Sequence, residues 1–311
     1  MLYFLIRRLF DSVITIFFVI TATFFMIKLS PGNPFAGEKV SQETIKSLER
    51  LYNVDKNIFL QYIDYLRNLI FHLDFGISFK NMGVKVNDMI FPSDSDSGFW
   101  LSIKFGFVVL VVVVILGVLL GIISALNENG KIDKILTFFS VVGIAVPPVV
   151  IAPVLVLIFS VYLRIFPPIG WEYDFSHLFL PVVALSLPNI CFLAQIQRNS
   201  LINVMNSRFI LTARANGLSK NYILMKHALK PSLIPVISYL GPTAAGIISG
   251  SVVIERIFVF PGIGTLTVAS ALGRDYSTIL ALVIVYSCVL IFCNTIVDIL
   301  YTYISPQVKL N

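Results

Sequence analysis

The sequence predicts an all-α polytopic membrane protein with six transmembrane helices and both termini in the cytoplasm. Three observations predict it. The 311 residues are 57% hydrophobic and only 13% charged, with a mean hydropathy of +0.88, whereas soluble domains carry about 25% charged residues. Stretches free of Asp, Glu, Lys and Arg recur at lengths able to cross about 30 Å of hydrocarbon at about 1.5 Å per residue. The charges between these stretches are sorted by sign, loop by loop.

The first stretch, Ser12–Ile27, reaches full length when Leu9, Phe10 and Leu29 join it. Asp11 and Lys28 then stand at its ends, where long side chains reach the headgroups. Arg7-Arg8 before an apolar run also opens secretory signals. Lys28-Leu29-Ser30-Pro31 offers no small-x-small cleavage site, so residues 1–29 read as a retained N-terminal helix. Residues 30–98 form a large extracytoplasmic loop. Within it Ser41 is placed to cap a short helix carrying Ile45, Leu48 and Leu51. Asn57 is placed to start another, with Phe59, Tyr62, Ile63, Leu66 and Ile70 on one face. Such amphipathic helices belong on the membrane surface or against the bundle. A polar turn over Pro92–Gly98 ends the loop.

Five charge-free runs follow: Phe105–Asn127, Ile135–Leu163, Phe175–Gln197, Pro231–Ile254 and Tyr276–Val297. They make residues 99–304 a five-helix core and leave 305–311 as a cytoplasmic tail. With the N-terminus inside, the cytoplasmic pieces carry Arg7, Arg8, Lys131, Lys134, the segment 198–230 and Lys309. That segment holds Arg198, Arg208, Arg214, Lys220, Lys226 and Lys230 without one acid. In the outer pieces, 30–98, 164–174 and 255–275, acids match or outnumber bases. The net charge of +6 follows from this sidedness, so the bilayer is the implied partner and nucleic acid is not.

Several function classes are excluded or made remote. No G-x-x-x-x-G-K-[ST] occurs, so the chain has no loop to cradle ATP phosphates. Pro261-Gly262-Ile263-Gly264 lacks the third glycine and the strand-to-helix context of a nucleotide site and reads as a turn. His72, His177 and His227 are scattered, without ligand spacing or converging carboxylates, so no metal site is expected. Cys191, Cys288 and Cys293 all fall in apolar runs and read as small hydrophobes. The spans carry no charge at mid-membrane, which argues against a proton- or sodium-driven carrier. Nor do they hold a nucleophile with a base, or paired acids, for intramembrane proteolysis. Gly117-x-x-x-Gly121 and Gly246-x-x-x-Gly250 read as helix-packing motifs. Pro147-Pro148, Pro153, Pro188, Pro235 and Pro242 point to helices lining an internal path, where freed carbonyls find partners.

The segment Arg208–Pro231 stands apart. Arg208–Asn216 reads as a helix, Gly217 as its left-handed C′ residue, and Ser219 as the cap of a second helix from Lys220 toward Leu229. Pro231 is expected to close that second helix. Ala213 and Ala215 leave the corner open to a close partner.

In its residue order this segment resembles the cytoplasmic EAA loop of membrane subunits of binding-protein-dependent ABC importers. The match is to the peptide-importer branch: Thr212-Ala213-Arg214-Ala215-Asn216-Gly217-Leu218, then His227-Ala228-Leu229-Lys230-Pro231, then Leu233-Ile234-Pro235. Leu29-Ser30-Pro31-Gly32-Asn33-Pro34-Phe35, Asp74-Phe75-Gly76-Ile77-Ser78-Phe79-Lys80 and Glu255-Arg256-Ile257-Phe258 are similar to the B-subunit family of oligopeptide permeases (the OppB/DppB family). So are Arg274-Asp275-Tyr276-Ser277 and Val297-Asp298-Ile299-Leu300-Tyr301. The acid that names the EAA loop is absent: Leu211 stands six residues before Gly217.

The resemblance implies a type I ABC importer permease (MetI-like) fold in a bacterial inner membrane. It implies half of an oligopeptide translocation path, shared with a homologous second permease of C type. It implies two ATP-binding subunits, of D and F type, docking at Phe209, Leu211, Thr212, Ala213, Arg214, Ala215, Asn216, Gly217 and Leu218. Those partners bind ATP and Mg, and this chain binds no cofactor and is no enzyme. An extracytoplasmic peptide-binding protein is expected to face Glu255, Pro261, Gly262, Gly264, Arg274 and Asp275. A dipeptide or nickel importer permease of the same family is the alternative, and a non-ABC carrier the more distant one.

Overall fold

The computed structural model describes residues 2–29, 57–94, 97–167, 170, 174–250 and 252–304. In chain order the first helices are α1 (Leu2–Leu29), α2 (Ile58–His72), α3 (Val86–Ile90), α4 (Gly98–Leu126), α5 (Lys131–Ala145), α6 (Pro148–Leu155) and α7 (Phe175–Met205). Then come α8 (Arg208–Ala215), α9 (Lys220–Tyr222), α10 (Leu229–Ser232), α11 (Ile234–Gly250), α12 (Val252–Phe258), α13 (Ile263–Leu272) and α14 (Tyr276–Ile304). π-Helical stretches lie at Val156–Tyr162 and Ile223–Ala228. The short helix expected from Ser41 lies outside the described residues.

Four stretches are straight, long and apolar enough to cross a bilayer: Ile6–Leu29, Gly98–Leu126, Phe175–Met205 and Tyr276–Leu300. Two more apolar stretches are bent: Lys131–Ala145 with Pro148–Tyr162 at 101°, and Lys220–Ser232 with Ile234–Ile248 at 43°. The run 135–163, which the sequence predicts as one span, is therefore broken. Val146 and Pro147 are extended, with ψ of 115° and 151°. Two adjacent prolines supply no N–H, and Pro148 keeps Pro147 out of the helical region. Helix α6 restarts with Pro148 in its first turn, where a proline is tolerated.

The chain divides into two compact units. One comprises Met1–Leu101 with Pro261–Cys288. There Asn57 caps α2 as expected, its side chain accepting from Phe59 N–H at 2.9 Å. The face that packs matches the expected one at Tyr62 and Leu66 and is turned from it elsewhere. Tyr62, Tyr65, Leu66 and Leu69 meet Ile20, Phe24 and Phe25 of α1, while Phe59, Ile63 and Ile70 stay exposed. The Tyr62 hydroxyl and Thr21 Oγ1, 2.6 Å apart, and the rings of Phe24 and Phe25 against Tyr62 fix this register. A second cluster gathers Val86 and Ile90 of α3 with Ile263, Ala281, Leu282 and Val285.

The other unit comprises Ser102–Phe260 with Val289–Asn311 and is organised around α7. Glycine brings α4 against it. A Cβ on Gly117 would lie 2.8 Å from Leu193, and one on Gly121 would lie 2.7 Å from the Ala194 carbonyl oxygen. Gly246 of the second G-x-x-x-G has nothing among the described residues within 4 Å of the place a Cβ would take. Gly106 against Ile248 and Gly241 against Asn294 and Val297 are the close approaches of α11. Helix α5 runs back along α7: Asp133 meets Arg198 and Gly143 meets Cys191. Beyond the bend, the Phe166 ring stacks on Phe179 at 4.8 Å. Arg198 and Phe179 stand 19 residues apart on α7, or about 28 Å along its axis.

Candidate functional site

The cationic loop follows directly from α7. Asn206 ends that helix, and Ser207 turns the chain into α8 with its hydroxyl donating to the Val204 carbonyl at 2.6 Å. Ile210 of α8 is fully buried in a cluster with Leu201, Ile223, Leu224 and Ala228, and Ala213 packs on the same side. The i, i+3 spacing of Ile210 and Ala213 gives α8 a single inward stripe. Everything else on it faces out: Phe209 is 51% and Leu211 54% exposed, and Thr212, Arg214 and Ala215 are exposed too.

The corner forms as the sequence predicts. Gly217 has φ +78°, with nothing within 4 Å of the place a Cβ would take. Gly217 N–H donates to the Arg214 carbonyl at 3.0 Å and Leu218 N–H to the Ala213 carbonyl at 3.3 Å. These are the two bonds of a Schellman closure, which asks for a left-handed residue at Gly217. Glycine is thus required by backbone conformation and not by crowding. Ser219 caps the next helix, its Oγ accepting from Tyr222 N–H at 3.4 Å. That helix does not stop before Pro231. It passes through the π-helical stretch Ile223–Ala228 and α10, and breaks at Leu233. The wider π turn leaves room for the proline ring, which clashes in a regular α-helix.

Outside this loop the surface is apolar and basic. Leu218, Tyr222 and Met225 are exposed beside Phe209 and Leu211, and Arg208, Arg214, Lys220, Lys226 and Lys230 are exposed around them. Met205, Arg214, Leu218, Lys220 and Ile223 line a groove of about 430 Å³. Arg214 Nη2 donates to the Met205 carbonyl at 3.2 Å, tying α8 back to the end of α7.

At the foot of the loop lies a polar junction that the sequence did not reveal. Arg198 donates from Nε to Asp133 Oδ1 and from Nη2 to Oδ2, both at 2.6 Å. Ser124 Oγ donates to the same carboxylate at 2.5 Å and Asn129 N–H at 2.9 Å. The neighbouring Gln197, fully buried, donates from Nε2 to Ser232 Oγ at 3.1 Å. At the far end of α7, Asp174 accepts from Ser176 Oγ at 2.7 Å. That bond, with the Phe175 and Ser176 N–H groups, holds its carboxyl below the usual carboxylate range.

The residues expected to face a binding protein do not form one exposed loop. Glu255 is 2% exposed in α12 and accepts from Ser102 Oγ at 2.8 Å. In the other unit, Gly262 and Gly264 are buried at the start of α13, while Pro261 and Arg274 are exposed. Asp275 is 1% exposed and heads α14. Its carboxylate accepts from Ser78 Oγ at 2.5 Å, Phe79 N–H at 2.9 Å and Thr278 Oγ1 at 2.7 Å. The motifs around residues 74–80 and 274–277 are thus joined through this carboxylate. Among the described residues no three His, Cys, Asp or Glu side chains gather as a metal-binding group.

Comparison with known proteins places these features in a family. Residues 117–310 match the model described as "Binding-protein-dependent transport system inner membrane component". Residues 1–84 match that of the N-terminal part of such membrane components. The chain is 45% identical over 311 residues to the oligopeptide transport system permease protein OppB of Haemophilus influenzae, covering 99% of this chain and 100% of that one. It is 44% identical to OppB of Escherichia coli K12 with the same coverage. The dipeptide transport system permease protein DppB of Bacillus subtilis is 38% identical over 309 residues, 99% of this chain and 98% of that one. Among solved structures, inward-facing MetNI methionine ABC transporter aligns with a TM-score of 0.54 at 15% identity, over 67% of this chain and 94% of that one.

Proposed function

We propose a transport role from one premise: this chain belongs to the family of binding-protein-dependent transport system inner membrane components. It is the permease subunit of a peptide importer, a multi-pass protein of the bacterial inner membrane. In our reading the cargo is an oligopeptide and the chain forms half of its path, the other half being a homologous permease of C type. Two ATP-binding subunits of D and F type bind ATP and Mg and supply the energy; this chain hydrolyses nothing. An extracytoplasmic peptide-binding protein delivers the cargo.

The observation that carries this reading is the outward face of α8. Phe209, Leu211 and Leu218 are exposed on a short helix and corner anchored by Ile210 and Ala213 and by the bond from Arg214 to the Met205 carbonyl. Apolar groups clustered on a polar loop mark a protein contact, and here they sit on a stiff arm continuous with α7. We assign Phe209, Leu211, Thr212, Ala213, Arg214, Ala215, Asn216, Gly217 and Leu218 to ATPase coupling. On the outer side, Pro261 and Arg274 meet the binding protein, with Gly262, Gly264 and Asp275 buried in the same unit, while Glu255 is buried in the other.

We count six spans, each bent pair crossing once, with both termini cytoplasmic. The 28 Å run of the first bent pair along α7 supports a broken span over a re-entrant loop. Domain limits follow as 1–29, 30–98, 99–304 with the coupling loop at 198–232, and 305–311. Co-purification from native membrane, with mass spectrometry of stoichiometric partners, tests the assembly. Placing a charge at Ala215→Asp should leave insertion intact and abolish peptide-dependent ATP hydrolysis. Equal hydrolysis by mutant and parent would reject the assignment. The 38% identity to a dipeptide permease keeps shorter cargo as a second reading, separable by competition between dipeptides and longer peptides.

A further inference from the structure

Gln197 and Arg198 are consecutive on α7, yet each grips a different element. Arg198 holds Asp133 at the start of α5 through a two-pronged fork at 2.6 Å, and Ser124 at the end of α4 closes on the same carboxylate. Gln197 holds Ser232, at the end of α10 and just before the 43° bend into α11. Asp133 is 3%, Gln197 0% and Ser232 0% exposed. A fork on a buried carboxylate fixes direction as well as distance, because the planar guanidinium, itself half-buried, meets both carboxylate oxygens at once. Arg198 also lies only ten residues before Arg208, the first residue of α8. Helix α5, in whose first turn Asp133 stands, ends at the extended Val146-Pro147 pair where the chain turns by 101°. It is held to α7 near both ends, by Asp133 on Arg198 and by Gly143 against Cys191.

We propose that Arg198 and Gln197 are positioning residues for transport: Arg198 clamps α7 to Asp133 and Gln197 clamps it to Ser232, so that displacement of α8 carries α5 and the α10–α11 bend along with α7. The inference rests on the reading of α8 as the ATPase-docking helix and adds what that helix moves. Paired contacts at two adjacent residues make α7, the α10–α11 bend and the α4–α5 turn move as one body. Separating Arg198 from Asp133 leaves a buried carboxylate without its cation, so the junction survives each cycle.

The test uses the complete complex in proteoliposomes, with peptide uptake and ATP hydrolysis measured together. Arg198→Lys keeps the charge and loses the fork. The expected result is a fall of about tenfold in peptide delivered per ATP hydrolysed, with assembly and melting temperature close to the parent's. Ser124→Ala, which removes one donor and leaves the ion pair, is the milder variant should Arg198→Lys fail to assemble; a smaller drop in the same ratio is expected. Loss of uptake and hydrolysis in equal proportion, at unchanged uptake per ATP, would overturn the proposal. Spin labels at Leu211 and Ile135, in a Cys288→Ser background, give a second readout. Their separation should stay constant between nucleotide-free and ATP-trapped complexes of the parent and change by several ångströms in Arg198→Lys. A separation that already changes in the parent sinks the rigid junction. If the parent shows no peptide-dependent hydrolysis at all, the docking role of α8 fails instead, and the label separation still decides whether the junction is rigid.

Discussion

Gly217→Ala is the most informative single substitution in the loop proposed to couple to the ATPase. The structure leaves open space around the added methyl group, so any effect comes from the backbone alone. At φ +78° an alanine costs about 1 kcal/mol relative to glycine, which is about fivefold in the equilibrium between the closed corner and an open one. The two Schellman bonds, from Gly217 N–H and Leu218 N–H, are the ones that open. Titrating purified ATP-binding subunits against the reconstituted permease pair, with stimulated hydrolysis as readout, should show half-saturation shifted up to fivefold. Gly217→Asn should recover most of the loss, since asparagine tolerates the left-handed region. An asparagine variant as weak as the alanine one would refute the conformational explanation.

Four further outcomes follow from packing and hydrogen bonding. Ile210→Ala empties a fully buried anchor and should cost about 2–5 kcal/mol, read as earlier melting of the cytoplasmic loop by hydrogen exchange. The exposed neighbour Leu211→Ala should shift the same exchange by less than about 0.5 kcal/mol, yet weaken ATPase binding. Gly121→Val would drive a methyl group into Gln197 and the Ala194 carbonyl, an overpacking cost of about 1–3 kcal/mol visible as reduced thermal stability in detergent. Asp275→Asn removes the charge that Ser78, Phe79 and Thr278 share. It should cost about 1.5–3 kcal/mol and speed limited proteolysis within residues 74–85.

The helical class, the family and the coupling corner were legible because their signals are local or ordered along the chain. Gly217 and Ser219 name their own backbone states, and Asn57 caps the helix it precedes. What stayed hidden depends on partners far away in sequence. Arg198 and Asp133 lie 65 residues apart, and Ser78 and Asp275 lie 197 apart. No spacing rule connects them. Hydropathy read 135–163 as one span because it counts charges, although Pro147-Pro148 stood in plain view as a break. Helix α2 has apolar residues on two sides, so periodicity found Tyr62 and Leu66 but set Ile63 and Ile70 beside them where Tyr65 and Leu69 pack. Of two equivalent glycine motifs, Gly117–Gly121 found α7, whereas Gly246 makes no close approach among the described residues.

A photo-crosslinking amino acid at Leu211, with irradiation of native membranes before solubilisation, puts the central idea to trial most directly. The account predicts covalent capture of an ATP-binding subunit from the cytoplasmic side, strengthened or weakened by nucleotide. Capture of phospholipid alone, or labelling of that position by a reagent confined to the outer face, would contradict it.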